Sequence, residues 1–213
     1  MAIVWPCPLT VDAYADAGRA VEVPRPDCPS CAGPVVFWSG YRRYVRAAGR
    51  CRKIFIRRVR CGRCGVSHAL LPAFALAWRL DAAGVIGTVL AGVAGGCAVR
   101  QAAERAGVPY TTVRGWCRRF TARGLVLGTA FAALAVDLGG PAMTPPEGAA
   151  RFAADAVGAA FAAACGLPGW AGLDAWRFAS AVTGGRLIAA NTISPWLVVG
   201  RRRFMPPIPL LPA

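Results

Sequence analysis

The hydrophobic rhythm of the chain changes once, near residue 79. Between residues 28 and 72, apolar and aromatic residues come in short runs broken by charge: "VVFW" (35–38), "YRRYVR" (41–46) and "KIFIRRVR" (53–60). β-Branched and aromatic residues at this density predict strands. "AAGR" (47–50) supplies the turn between the last two, and "ALLPAF" (69–74) leads out. From residue 79 the pattern lengthens into helices. One covers about 81–94 and is stopped by Gly95-Gly96; the next runs from Val99 to Ala106; a third covers about 110–122, after the turn "GVP" (107–109). An Ala-rich apolar helix follows at 125–137. "GGPAMTPPEG" (139–148) reads as a linker, and 149–165 and 170–183 read as a closing helical pair.

This pattern predicts an α+β chain. A weakly ordered lead-in (1–26) precedes a small β-rich ribbon (27–74) and a helix-turn-helix domain (79–138). The linker (139–148), a C-terminal helical region (149–205) and a proline-rich tail (206–213) complete it. The length, 213 residues, suits roughly one to two domains.

Charge sharpens the picture. The net charge is +15, and Lys53 is the only lysine. Residues 1–124 hold 19 basic against 6 acidic residues, whereas 125–213 hold 6 against 4. The stretch 41–63 carries ten basic residues and no acid. Such a balance points to a polyanionic partner, with nucleic acid ahead of an anionic membrane surface. Two uncharged stretches, 82–99 and 156–173, match the shortest membrane-spanning helices in length. Both are built mainly from Ala and Gly, and Gly-Leu-Pro-Gly breaks the second, so insertion is not expected.

The nine cysteines are an odd number, and the N-terminus lacks the pattern of a secretory signal. The thiols are therefore expected to be free or metal-bound in a reducing cytoplasm. Four of them form two matched pairs: Cys28-x2-Cys31 and Cys61-x2-Cys64, with 29 residues between. Two such turns on neighbouring hairpins can place four sulfurs at the corners of a tetrahedron, the arrangement zinc favours. Gly33 and Gly65 stand where the turns need a residue without Cβ. A β unit this small can hardly fold on apolar burial alone, which gives a metal a structural task. A redox pair would want a βαβ context, which is missing. Four thiolates leave zinc no position for water, so the site is expected to be structural. Cys51 and His68 lie nearby as weaker alternative ligands.

"VRQAAERAGVPYTTVRGWCRRF" (99–120) fits a helix-turn-helix. Ala103 is the small residue at the helix crossing, Gly107 the turn residue that accepts positive φ, and Val108, Val113 and Trp116 the apolar contacts. The second helix would enter the major groove of double-stranded DNA. Tyr110, Thr111, Thr112 and Arg114 are its candidates for base or sugar contact; Arg118, Arg119 and Arg100 are candidates for phosphate. Arg42, Arg43, Lys53, Arg57 and Arg58 on the ribbon strands would grip the backbone. Two departures stand out. Pro109 occupies the N-cap, and Gly115 inside the helix costs about 1 kcal/mol relative to Ala.

Together, the ribbon and the helical stretch resemble a bacterial family of uncharacterised proteins with a zinc ribbon and a helix-turn-helix. That family is similar to the N-terminal DNA-binding region of insertion-sequence transposases. The resemblance covers roughly 27–140. It implies Cys28, Cys31, Cys61 and Cys64 as zinc ligands and 99–120 as the DNA-reading unit.

Catalysis is not expected. Transposition needs a carboxylate cluster holding divalent metals. The acids beyond residue 124 are Asp137, Glu147, Asp155 and Asp174, in an Ala-rich helical region. The expectation is a cytoplasmic, nucleoid-associated DNA-binding protein, either a regulator or a transposase-derived module. Its C-terminal helices would cover the core or mediate a homodimer, and no small-molecule substrate is inferred. The alternative is a zinc-stabilised adaptor for proteins or membrane surfaces; a transposase or nuclease ranks below it.

Overall fold

The computed structural model describes residues 2–189, Pro195 and the backbone of two short strands at Leu197–Val199 and Arg202–Phe204. The expected proline-rich tail lies outside the described residues. The architecture is α+β. A four-stranded sheet is built from β1 (Ala2–Trp5), β2 (Val35–Ala47), β3 (Arg50–Cys61) and β4 (Ser67–Pro72), in the order β1-β4-β3-β2. β1 runs parallel to β4; the other pairs are antiparallel. α1 (Val11–Ala17) lies between β1 and β2. The helices α2 (Ala83–Ala94), α3 (Val99–Ala106), α4 (Tyr110–Ala122), α5 (Gly124–Asp137), α6 (Ala149–Ala164) and α7 (Ala175–Val182) follow, and then the short pair β5–β6 at 197–199 and 202–204.

The N-terminal 26 residues are not a loose lead-in. β1 pairs with β4 from Ala2↔Ala69 to Trp5↔Pro72. Thr10 caps α1 by accepting the Ala13 N–H at 3.1 Å. Tyr14 is buried, meets Phe74 edge-on at 5.3 Å and donates its hydroxyl to the Phe55 carbonyl at 3.1 Å. Trp5, Cys7, Val11, Val21 and Val23 are buried in the same cluster as Ile54, Ile56, Val59 and Leu70. The physical reason is the shortage of apolar surface in the ribbon itself, which this segment supplies.

β2 is one continuous strand where two short ones were expected. A bulge between Phe37 and Ser39 absorbs the extra residue, Trp38. Ala48 and Gly49 turn the chain into β3, both with positive φ (47° and 73°), as a tight two-residue hairpin turn requires.

The helices share a second core, which includes Ile86, Leu90, Val113, Trp116, Phe120, Leu127, Phe131, Phe152, Val157 and Phe178. Residues 139–148 are therefore not a linker between separate units. A Cβ on Gly124 would meet the Ala149 carbonyl, one on Gly128 the Phe152 ring, and one on Gly140 the Ala163 Cβ. Both helices thus run the same way, and 138–148 crosses back along their length. Within the described residues, no single helix is long and apolar enough to cross a membrane; α4 and α5 reach that length only as a pair bent by 64°.

The two cores meet along residues 73–82. The Arg46 N–H donates to the Leu80 carbonyl at 2.8 Å, and the Ala82 N–H donates to the Arg46 carbonyl at 2.9 Å. Beside them the Arg46 Nε lies 2.6 Å from the Asp81 carboxylate. The hairpin tip is thereby tied to the start of α2.

Candidate metal centre and nucleic-acid interface

The Cys-x-x-Cys turns lie at the base of the sheet, before β2 and at the end of β3. The four Sγ atoms of Cys28, Cys31, Cys61 and Cys64 all fall within 4.8 Å of one another. Cys28 and Cys64 are 3.7 Å apart, Cys31 and Cys61 3.4 Å. A tetrahedral ion with metal–sulfur distances near 2.3 Å needs sulfurs about 3.8 Å apart, so the cage is close to the required size. The donor set can hold one metal ion.

Local backbone shapes the cage. Gly65 takes φ +71°, as its turn requires. Gly33 serves differently: a Cβ there would lie 2.9 Å from the Arg63 Cβ and 3.3 Å from the sulfurs of Cys31 and Cys61. Bare backbone is needed because the second knuckle packs against it. The Cys61 thiol is lowered to about 6, first by the N–H of Cys64 and, against burial, by that of Arg63. Burial raises the Cys28 thiol, but the Ser30 N–H, His68 and the Cys31 N–H outweigh it and bring it to about 7. The Gly33 N–H favours a thiolate at Cys31, yet burial and the neighbouring thiols push Cys31 up to about 12. Thiolates crowded this way repel one another unless a cation sits between them.

His68 and Cys51 take different places. His68 is fully buried, with Nε2 3.4 Å from the Cys28 sulfur. It stands behind a ligand and can orient that sulfur by a hydrogen bond. Cys51 is exposed at the far end of β3, opposite Arg46 and ten residues from Cys61.

The helical unit has the expected register. Gly107 ends α3 in the left-handed region (φ 61°, ψ 33°), and the Val108 N–H closes the turn on the Ala103 carbonyl at 3.1 Å. Ala103, Val108, Val113, Trp116 and Phe120 are buried, which fixes the pose of α4. Pro109 is the N-cap with no side-chain cap, so N–H groups at the start of α4 stay available to an anion. Gly115 has a use: the Arg119 guanidinium folds back to donate to its carbonyl at 3.1 Å, and a Cβ there would crowd the same group at 3.2 Å.

Tyr110, Thr111, Arg114, Arg118 and Arg119 are exposed, and Thr112 is half-buried. Arg100 stacks on the Tyr110 ring at 5.5 Å, joining α3 to the head of α4. Thr111, Thr112, Arg118 and Arg119 line an open groove of about 350 Å³ together with Arg79. Arg79 escaped the sequence reading because it stands alone between two elements. Its guanidinium is held by the Ile188 carbonyl at 3.2 Å, and burial, then the charge of Arg119, lowers its pKa. Among the described residues, no acidic side chain lines this groove.

The hairpin cations divide. Arg42 and Lys53 are exposed, whereas Arg57 and Arg58 are half-buried. Arg57 donates to the Arg19 carbonyl at 2.6 Å. Arg43 is not a backbone grip. Its guanidinium donates to the Leu76 carbonyl at 3.2 Å and to that of Arg79, and burial lowers its pKa. Strand alternation aims it at the 76–79 segment, while its neighbour Arg42 points the other way. Elsewhere, a cavity of about 670 Å³ opens between the hairpin tip, α2 and α3, with Cys97, Glu104 and Arg105 among its lining residues.

Residues 28–116 match the family model described as a domain of unknown function (DUF6431). The matched stretch starts at the first cysteine of the cage and ends at Trp116 in α4. It therefore takes in the hairpin, the turn at Gly107 and the head of α4. No curated protein and no solved structure matches the chain.

Proposed function

We propose that this chain is a DNA-binding protein, a regulator or a transposase-derived module, that reads duplex DNA with α4 and keeps its sheet in shape with a structural zinc ion. The observation that carries the reading is the pose of α4. Buried Val113, Trp116 and Phe120 hold one face down, and the rest of the helix exposes Tyr110, Thr111, Arg114, Arg118 and Arg119, of which Thr111, Arg118 and Arg119 share a groove with Arg79. Arg114 is suited to guanine O6/N7, and Arg79, Arg118 and Arg119 to phosphate. A net charge of +15 favours the same partner. Four soft thiolates in a tetrahedral cage suit zinc. The zinc would be held by Cys28, Cys31, Cys61 and Cys64, and would supply rigidity, not chemistry.

Two of the four acids in the C-terminal half have structural tasks. Asp155 is paired with Arg151 at 2.8 Å, and Asp174 caps α7 by accepting the N–H groups of Trp176 and Arg177 at 2.9 and 2.8 Å.

Selection from random duplexes, followed by titration of the selected site at two salt concentrations, tests the proposal. Affinity should fall steeply with salt. Arg114→Ala should cost about 1–3 kcal/mol on the selected site and little on scrambled duplex. Absence of any sequence preference, with a shallow salt slope, would overturn it.

A further inference from the structure

We infer that the β2–β3 hairpin carries a second nucleic-acid site, a stacking platform for the unpaired bases of single-stranded DNA. The site is separate from α4; only the choice of DNA over RNA rests on the duplex reading above.

The register builds the platform. Tyr44 lies opposite Lys53, Arg42 opposite Phe55, and Gly40 opposite Arg57. Residues directly opposite in an antiparallel pair share a face, and so do residues two apart, so these six side-chain positions share one face. Phe37, past the bulge, joins them, because the Arg57 guanidinium lies 5.0 Å over its ring. Three rings therefore follow one another down the hairpin: Tyr44, Phe55 and Phe37. The first two are offset by two residues, roughly 7 Å along the strand.

Each ring has a cation over it, which leaves a base the other face or the place of the cation. The Lys53 ammonium is 5.7 Å from Tyr44, the Arg19 guanidinium 4.8 Å from Phe55, and Arg25 and Arg57 are 5.8 and 5.0 Å from Phe37. Tyr44 and Phe37 are 54% and 43% exposed, far more than a core or a satisfied edge strand needs. Gly40 is bare for a reason: a Cβ there would lie 2.2 Å from the Phe55 ring, which spreads across it.

Alternating rings and cations suit a flexible polyanion whose bases are free to stack: the cations follow the phosphates and the rings take the bases. A duplex hides its base faces and can use only the cations. The acids nearest the hairpin do not spoil the match: Asp81, at the hairpin tip, is buried and already paired with Arg46. Asp12 and Asp16 both meet Arg52, whose register puts it on the opposite face. Glu22 is the only acid in the segment 19–25 that borders the platform.

The test uses the full-length protein and fluorescence anisotropy of labelled oligo-dT, with oligo-rU and the selected-site duplex as further arms. Oligo-dT should bind, with affinity falling as salt rises. Tyr44→Ala and Phe37→Ala should each weaken it on the order of tenfold while leaving duplex binding unchanged. Arg114→Ala should do the reverse. The rings replaced are exposed, and an unchanged circular-dichroism melt would show that the variants fold. Oligo-dT affinity equal in wild type and both ring variants would overturn the platform. A preference for oligo-rU above tenfold would overturn the assignment to DNA. Loss of duplex binding in Arg114→Ala alone bears only on α4, so the two readings fail independently.

Discussion

The contact between Arg46 and Asp81 joins the sheet to the helices, and its strength can be worked out from exposure. The Asp81 side chain is 4% exposed and the Arg46 side chain 27%, with 2.6 Å between Nε and Oδ1. Removing one partner of a buried ion pair costs about 3–5 kcal/mol, because the other charge is left without compensation. Arg46→Ala strands a carboxylate with almost no route to water, so its cost should lie in that range. Asp81→Asn leaves a guanidinium that can turn toward solvent, and about 2 kcal/mol is expected after discounting for exposure. Replacing both, as in Arg46→Met with Asp81→Leu, strands nothing and should cost less than either single change. The backbone bonds of Arg46 to Leu80 and Ala82 survive in every variant. Urea denaturation at equilibrium measures all three, and an unchanged m-value shows that the difference is one of stability. A larger cost for Asp81→Asn than for Arg46→Ala, or a double change costing the sum of the two, would rule out a stranded carboxylate as the cause.

Two further outcomes can be checked. Gly33→Ala would push a Cβ to within 3.3 Å of two cage sulfurs, so metal affinity should fall on the order of tenfold in chelator competition read by elemental mass spectrometry; unchanged retention would contradict the packed cage. Burial raises Cys7 to about 11 and Tyr14 to about 12, from ordinary values of 9.0 and 10.0. Both groups hold their proton more tightly folded than unfolded. Their contribution is therefore intact below about pH 9 and is lost as pH rises through the 9–12 window. The urea midpoint should decline over that window, and a Cys7→Ala, Tyr14→Phe variant should decline less steeply; equal slopes would refute the assignment.

The cysteine cage and the α3–α4 unit were legible in the residues because their geometry is local. A Cys-x-x-Cys turn fixes two sulfurs by itself, and the sequence from Ala103 through Gly107 to Trp116 holds its own crossing, turn and packing positions. The spans of α2, α3 and α4 followed from the same short-range pattern. Other features depended on neighbours remote in sequence. Trp5, Cys7 and Tyr14 form a core only because Ile54, Ile56 and Phe74 arrive beside them, and seven residues of α1 show too little periodicity to announce a helix. The parallel course of α5 and α6 depends on glycines that admit Ala149 and Phe152, and nothing in "GGPAMTPPEG" distinguishes a crossover from a linker. Arg42 and Arg43 look alike in the sequence, yet pleating sends one to solvent and the other to the carbonyls of Leu76 and Arg79. Arg79 joins the groove of α4 only once the chain has turned back. Short-range steric and hydrogen-bonding rules determine elements and turns, whereas burial and charge pairing are properties of distant segments brought together, and only the tertiary structure decides those.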